Sequence, residues 1–184
     1  MRVFKIKSGG FTLLEIMVVV AIASTLILIA IPSFQATMTR NRIAGEVSDF
    51  FTALQFTRSE AIKQGSAVSM CASRDQVKCN TTNVNAWQDG YIVFTDVNNS
   101  GAVDSGDVIL KVWPAYTGTE TAVASNSLSA FTFNRQGFAV GLPANPVSVA
   151  VSAATKTDVS NNRCILISLT GRIQAKSPTA GVCI

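Results

Sequence analysis

Residues 7–32 have the sequence KSGGFTLLEIMVVVAIASTLILIAIP, and this stretch indicates the structure of the N-terminal part of the chain. Positions 11–31 are 21 residues whose single charge is Glu15, and as a helix they would measure about 31 Å. That length matches the hydrocarbon core of a bilayer and predicts a membrane-spanning helix. A carboxylate at bilayer depth costs from about 3 to more than 10 kcal/mol, so the presence of Glu15 needs an explanation.

The residues before the apolar run favour an unusual processing site. Arg2, Lys5 and Lys7 precede it and predict a cytoplasmic N-terminus. A secretory signal has an apolar core of about 7–15 residues, followed by its cleavage site. Here the apolar run is longer, and the small residues Gly9 and Gly10 come before it. Cleavage at the cytoplasmic face, after these glycines, would leave the hydrophobic helix on the mature protein.

The string Gly-Phe-Thr-Leu-Leu-Glu at residues 10–15 resembles the class III signal peptide of type IV pilins and type II secretion pseudopilins. The resemblance implies that a prepilin peptidase cleaves after Gly10 and N-methylates Phe11, so that Glu15 becomes the fifth residue of the mature chain. An amine–carboxylate pair offsets part of the cost of a buried charge. The amine of an incoming subunit is therefore expected to pair with Glu15 of its neighbour in a filament.

Composition argues against an enzyme. The 184 residues carry a net charge of +4, and the leader supplies three of those charges, so the remainder is near +1 (4 − 3). Bulk charge therefore does not predict nucleic-acid binding. The chain has no histidine, the commonest general base and metal ligand. We expect no catalytic residues and no cofactor.

The four cysteines predict disulfides. They form an even set without a C-x-x-C pair, in a chain whose start targets it to a membrane. Three connectivities are possible. Proximity favours Cys71–Cys79 and Cys164–Cys183, because each bridge closes a short loop around predicted strand ends.

After Pro32 the apolar residues follow helical spacing up to about Gln64, and Gly65 is a plausible stop. The sequence therefore predicts one helix from Phe11 to about Gln64, bent near Pro32. The stripe expected to face the core consists of Ile43, Val47, Phe50, Phe51, Leu54 and Ile62. The predicted divisions are a cleaved leader (1–10), a transmembrane and filament-core helix (11–32), an amphipathic helix (33–65) and a periplasmic β-rich domain (66–184).

The rest of the chain reads as short strands separated by turns, with connections rich in Ser, Thr, Asn, Ala and Gly such as 117–129 and 153–162. One α+β domain, with a helix laid on antiparallel sheet, fits best. The predicted strands are 67–72, 91–95, 108–113, 130–134, 147–151, 164–168 and 172–175.

Four downstream motifs narrow the resemblance. They are FTRSEAI (56–62), WQDGYIVFTD (87–96), FNRQG (133–137) and LTGR (169–172). The chain is thereby similar to the minor pilins of the FimT/FimU and GspH group along essentially its whole length. The resemblance implies a long N-terminal helix, hydrophobic in its first half, packed on a globular domain of two antiparallel sheets.

A calcium site is a second interpretation of residues 96–107. Oxygen-bearing side chains stand at positions 1, 3, 5, 9 and 12 of this twelve-residue segment, and glycine stands at position 6. A plain hairpin turn needs the same residue types, the flanks read as strands, and the family has no general metal requirement there. We expect the turn. The calcium candidates are Asp96, Asn98, Ser100, Asp104 and Asp107.

DNA binding is a third interpretation, centred on Arg172. Some FimT-type pilins that take up DNA carry Gly-Arg-x-Arg near the C-terminus, and this chain has Gln174 at the second arginine position. Lys176 and Arg163 are basic residues close to it in the sequence, and such residues would contact phosphates without base specificity. The missing arginine disfavours this function.

The resemblance implies a structural, non-enzymatic minor pilin of a type IV pilus, placed in the tip or initiation complex. Its expected partners are prepilin peptidase, the inner membrane and other major and minor pilins. The expected location is the inner membrane, with a cytoplasmic leader and a periplasmic domain, and then a periplasmic or cell-surface filament. Two alternatives are a GspH-like minor pseudopilin of type II secretion and a FimT-like pilin for DNA uptake in natural transformation.

Overall fold

The computed structural model describes residues 10–153, 162–177 and 183, in two compact units, residues 1–38 and residues 39–184. One helix, α1, spans Leu13–Gln64 and belongs to both units. It starts where the Thr12 hydroxyl accepts a hydrogen bond of 3.2 Å from the Glu15 amide, the contact of an N-cap residue. It ends before Gly65, whose φ of +66° is a left-handed conformation that glycine adopts readily. The predicted end of the helix is confirmed, and the bend near Pro32 stays a prediction.

The first unit exposes its apolar side chains. Large apolar residues from Phe11 to Ile31 are 50–78% exposed. An 18-residue window of this helix has a mean hydropathy of 2.7. By length and composition the helix can cross a membrane. The basic residues predicted to lead it, at positions 2, 5 and 7, lie outside the described residues.

In the second unit α1 buries one face. Ile43, Val47, Phe50 and Leu54 are each less than 10% exposed, which confirms most of the predicted stripe. Near the end of the helix the buried face departs from the predicted stripe, since Ala61 is buried and Ile62 is 51% exposed. At 3.6 residues per turn, two turns after Leu54 lead to position 61, so the small alanine faces the core there.

Nine short strands follow the helix within the described residues. They are β1 Val68–Ala72, β2 Tyr91–Thr95, β3 Ile109–Trp113, β4 Thr121–Ala124, β5 Ala130–Phe133, β6 Ala139–Val140, β7 Val147–Ser152, β8 Arg163–Ile167 and β9 Ile173–Lys176. The first sheet has the order β3-β2-β1-β5-β6 and the second β4-β7-β8-β9, and all described pairings are antiparallel. The predicted α+β fold with two antiparallel sheets is confirmed.

Both sheets contribute to one core against α1. In β7, Val147, Val149 and Val151 alternate with less buried residues, as expected for a strand with one face toward the core. Strand β1 is buried on both faces, and Val68, Met70 and Ala72 belong to the main core. Its residue Cys71 joins a small second cluster with Ile92 and Phe94 on the other face.

All seven predicted strands are present, with ends shifted by no more than a residue. The prediction was wrong about the connection 117–129, which contains β4. This strand is only four residues long, and its pairing with β7, from Thr121 opposite Ser152 to Ala124 opposite Val149, gives it its partner. Strand β6, of two residues, was also missed. Most of the predicted connection 153–162 lies outside the described residues.

Candidate functional site

The candidate processing segment, residues 10–15, is accessible. Gly10 precedes the helix, and a Cβ added to it would meet no other atom within 4 Å. Phe11 is 77% exposed, and Glu15 is exposed in the first turn of α1. Cleavage after Gly10 would place a new amine four residues before Glu15. The segment is thus exposed, and the positions of the new amine and of Glu15 are only four residues apart.

The hydroxyl groups farther along the helix are satisfied within it. Ser24 donates to the Ala21 carbonyl oxygen at 2.9 Å, and Thr25 donates to that of Ile22 at 2.8 Å. A lipid environment favours such internal bonding because it offers polar groups no water. Glu15 is therefore the side chain of positions 11–31 that needs a partner from outside its own helix.

Two disulfides tie down loops of the second unit. Cys71 is bonded to Cys79, with Cα atoms 5.6 Å apart, and Cys164 to Cys183, with Cα atoms 5.5 Å apart. These are the pairs that sequence proximity favoured, and they are confirmed. The first anchors the loop after β1, and the second brings Cys183 onto β8.

Replacing Cys71 and Cys79 together by alanine is expected to destabilise the chain by about 2–3 kcal/mol. The bridge spans 8 residues, and closing a loop of that size lowers the entropy of the unfolded chain by about this amount. Denaturant unfolding of the full chain in detergent measures the loss. Wild type with both disulfides intact is the reference, and an unchanged midpoint in the double variant would contradict the prediction.

Residues 96–107 form the tip of the hairpin between β2 and β3. Asp96 is fully buried, and its carboxylate accepts a hydrogen bond of 2.6 Å from the Ser69 hydroxyl. The same carboxylate accepts backbone N–H bonds from Ser100 at 2.8 Å and Gly101 at 3.0 Å. The side chain thus fastens the base of the hairpin to β1.

The other acidic residues of this tip are also engaged by their own loop. Asp107 accepts N–H bonds from Val97 and Asp104, at 3.1 and 2.9 Å. Asp104 accepts bonds from the side chains of Asn98 and Ser100, which lower the pKa of its carboxyl. Among the described residues no group of three or more His, Cys, Asp or Glu is arranged to hold a metal ion. The segment is therefore a turn whose acidic side chains are hydrogen-bonded within the hairpin and, through Asp96, to β1.

The basic residues proposed for DNA lie at two ends of one strand. Arg172 is exposed just before β9, beside a groove of about 420 Å³ that Arg58 and Ile62 also line. Lys176 ends β9 opposite Cys164, the neighbour of Arg163. Four residues along a strand separate Arg172 from Lys176 by about 13 Å. Lys176 and Arg163 thus lie at the same end of the neighbouring strands β9 and β8, and Arg172 lies beyond the other end of β9.

Three of the sequence motifs meet around Arg58. Its Nε donates a hydrogen bond of 3.0 Å to the carbonyl oxygen of Gly137. Gly171 has a φ of +74°, and a Cβ added there would collide with that same carbonyl oxygen. The Ala139 amide donates to the Leu169 carbonyl oxygen at 3.0 Å. These motifs join α1 to both sheets, which gives them a structural role.

The structure also buries one acidic residue of α1, Glu46, for which no role was predicted from the sequence. Glu46 is 8% exposed and sits among the core positions Ile43, Val47 and Phe50. The signal was present in the spacing, because position 46 is three residues after Ile43 and four before Phe50. A buried carboxylate on the apolar face of a helix needs a hydrogen-bond or ionic partner.

Comparison with protein families gives two matches. Residues 46–171 match the family model described as type II transport protein GspH. Residues 5–31 match the prokaryotic N-terminal methylation motif. No curated protein sequence matches the chain.

Comparison with solved structures adds the type IV minor pilin FimU of Pseudomonas aeruginosa in two crystal forms. The chain is 28% identical to FimU in the P21 form, and the two superpose with a TM-score of 0.58. The match covers 74% of this chain and 90% of the FimU chain. For the P65 form the identity is 28% and the TM-score is 0.53. That match covers 70% of this chain and 88% of the FimU chain. The likeness thus extends over most of both chains.

Proposed function

Because the chain belongs to the GspH family and is a minor pilin or pseudopilin, we propose that it is built into a type IV pilus. The observation that carries this proposal is the union, in one chain, of a methylation motif at residues 5–31 with a FimU-like fold. Its place is the tip or initiation complex, where it assembles with other major and minor pilins. A GspH-like role in type II secretion is the alternative.

The first step proposed is processing. Prepilin peptidase removes residues 1–10 and methylates the amine of Phe11, and the exposure of the segment supports access to it. The chain then spans the inner membrane through residues 11–32, with the amphipathic helix 33–65 and the domain 66–184 in the periplasm. The helix of the first unit has the length and hydropathy for this position.

The second step is assembly. The cationic amine of Phe11 of an incoming subunit pairs with Glu15 of its neighbour as the helices join, and the pairing sets their register. Two opposite charges in a low-dielectric setting attract strongly, which offsets part of their desolvation cost. The exposed apolar surface of the first unit supplies the rest of the contact.

Pilin and pseudopilin families are structural, and the proposed role is non-enzymatic. DNA uptake has weaker support than assembly, because β9 carries Gln174 where a second arginine is required and Arg172 stands apart from Lys176.

The proposed processing is tested by expressing the chain with and without a prepilin peptidase. Mass spectrometry of the membrane fraction is expected to find a mature chain that begins with N-methylated Phe11. A bulky residue at the cleavage position, in the variant Gly10→Val, should leave the leader attached. Gly9→Ala is the matched control and should be cleaved normally. Cleavage at another bond, or a leader retained beside active peptidase, would contradict the processing step.

The choice between pilus and secretion system is tested by deleting the gene. Loss of surface pili with secretion unchanged supports the pilus role, whereas loss of secretion with normal pili would assign the chain to type II secretion. Recovery of the chain with other minor pilins, in small amounts per filament, is the expected sign of a tip position.

A further inference from the structure

A cavity of about 300 Å³ lies beside α1 in the second unit. Its walls come from Arg42, Glu46 and Asp49 on the helix, from Tyr91 in β2, and from the segment 113–117 after β3. Its volume is at the lower end of the range of ligand pockets, about 300–1,000 Å³. The cavity therefore has room for a small ligand or for the end of one side chain.

Polar atoms at this cavity lack partners. Both carboxylate oxygens of Glu46 are buried, and neither has a hydrogen-bond partner among the described residues. The hydroxyl of Tyr116, which lines the same cavity, is also buried without a partner there. A buried polar group without a hydrogen bond costs about 1–3 kcal/mol, and a charged one costs more. The site is thus built with acceptors that nothing in the described chain satisfies.

Arg42 is the cation among the residues that line the cavity, and Glu46 shares it with Glu120. Arg42 pairs with Glu120, with 3.0 Å between Nη1 and Oε1, while the other oxygen of Glu120 is buried without a partner. Burial, together with the nearby charges of Glu120 and Asp49, raises the pKa of Glu46 to about 7, although the charge of Arg42 opposes the rise. Arg42 is therefore shared with Glu120, and its charge offsets only part of the effects of burial and of the other carboxylates on Glu46.

Two phenols face the same carboxylates. Burial raises the pKa of Tyr116, and the nearby Glu46 and Asp49 raise it too. The pKa of Tyr91 is raised by burial, then by Tyr116, Asp49 and Glu46. Glu46, Asp49, Tyr91 and Tyr116 all line the same cavity. Aromatic faces and carboxylates together are the surroundings that organic cations prefer.

We propose that this cavity binds an organic cation, a primary ammonium or guanidinium group, which donates hydrogen bonds to the carboxylate of Glu46. Each such cation offers several N–H donors, whereas Glu46 offers only acceptors when ionised. The bound cation adds positive charge to a cavity whose three nearby carboxylates, Glu46, Asp49 and Glu120, share Arg42. Its aliphatic part lies against the aromatic wall formed by Tyr91, Trp113 and Tyr116.

The same chemistry has two sources, a free amine or the lysine or arginine side chain of a neighbouring subunit. Only the second source rests on the proposed role in a filament. Binding of a free probe to the isolated chain therefore tests the cavity without testing assembly.

The experiment uses the full chain in detergent micelles with n-butylammonium and n-propylguanidinium as probes. NMR signals of the aromatic rings at the cavity are expected to shift on titration with either probe, and Glu46→Gln should weaken binding at least about tenfold. The neutral molecule n-butanol should not bind. Glu60→Gln, on the same helix and outside the cavity, is the matched control and should bind as wild type does. Absence of binding, equal binding of n-butanol, or equal affinity in Glu46→Gln would overturn the proposal.

A pH series gives an independent readout. Since the folded pKa of Glu46 is raised from 4.5 to about 7, its contribution to stability is present below about pH 4.5 and is lost as pH rises through about 7. The melting temperature of the unliganded chain should fall over that window, and Glu46→Gln should remove this part of the fall. Affinity for the probe should rise over the same window, because the cation binds the ionised carboxylate. Affinity that is the same at both ends of the window would overturn the proposed contact.

A photo-crosslinker at Thr117, on the cavity wall, separates the two sources in assembled filaments. A cross-link to a neighbouring subunit that n-butylammonium suppresses identifies a basic side chain as the occupant. Probe binding without any effect on cross-linking identifies a free amine. Either result supports the cation site, whereas failure of the probes to bind would contradict it.

Discussion

A chain that carries Glu15→Ala is expected to enter the inner membrane as the wild type does and to enter filaments at least about tenfold less often. Insertion depends on the apolar run, and removing a charge from a membrane segment makes insertion easier. Incorporation depends on a partner for the new amine of Phe11, and alanine leaves that amine unpaired in an apolar setting. A tenfold effect corresponds to about 1.4 kcal/mol, well below the cost of a buried unpaired charge.

The measurement compares the amount of chain in membranes with the amount in sheared filaments. Ser24→Ala is the matched control, because it removes a polar atom from the same helix whose bond is internal. Glu15→Asp should recover part of the incorporation, since it restores the carboxylate one methylene group short. Filament levels of Glu15→Ala equal to those of wild type would contradict the proposed pairing.

The second large effect is expected at Phe50, where alanine should lower the free energy of unfolding by about 3–5 kcal/mol. Phe50 is fully buried and meets Trp87, Tyr91 and Phe131 edge to face, with ring centroids 5.4, 5.2 and 6.2 Å apart. Its ring therefore joins α1 to two strands and to the turn before β2. Removing it leaves a cavity that these rigid neighbours fill poorly.

Phe51 provides the matched control for Phe50. It has the same side chain one residue later on the helix, but it is only half-buried, beside a groove that β9 also lines. Phe51→Ala is expected to cost less than about 2 kcal/mol, because part of its surface is already in contact with water. Denaturant and thermal unfolding of the full chain measure both variants. Equal losses in the two would contradict the assignment of Phe50 to the centre of the core.

Local patterns predicted the fold well where each element carries its own signal. The stripe from Ile43 to Leu54 marked the buried helical face, and alternation marked the longer strands such as β7. Strand β4 has no such signal, because its four small residues, Thr121 to Ala124, become a strand through pairing with β7. A partner distant in sequence decided that element.

The candidate sites also differ in whether the local sequence predicts them or only the structure defines them. Residues 10–15 form a contiguous motif, so the proposed roles of Gly10, Phe11 and Glu15 could be predicted without a structure. The oxygens of residues 96–107 fit both a turn and a calcium loop in the sequence. Only the structure shows that Asp96 is bonded to Ser69 and that Asp107 is bonded to Val97.

By itself, the sequence determined the membrane-spanning length of positions 11–31, the processing motif, the helix with its buried face and the disulfide pairs favoured by proximity. These features depend on neighbours along the chain, and local spacing records them. The tertiary structure decided the order of the sheets, the meeting of Arg58 with Gly137 and Gly171, and the burial of Glu46 beside Tyr116. Those features depend on residues that lie far apart in sequence and come together only when the core has formed.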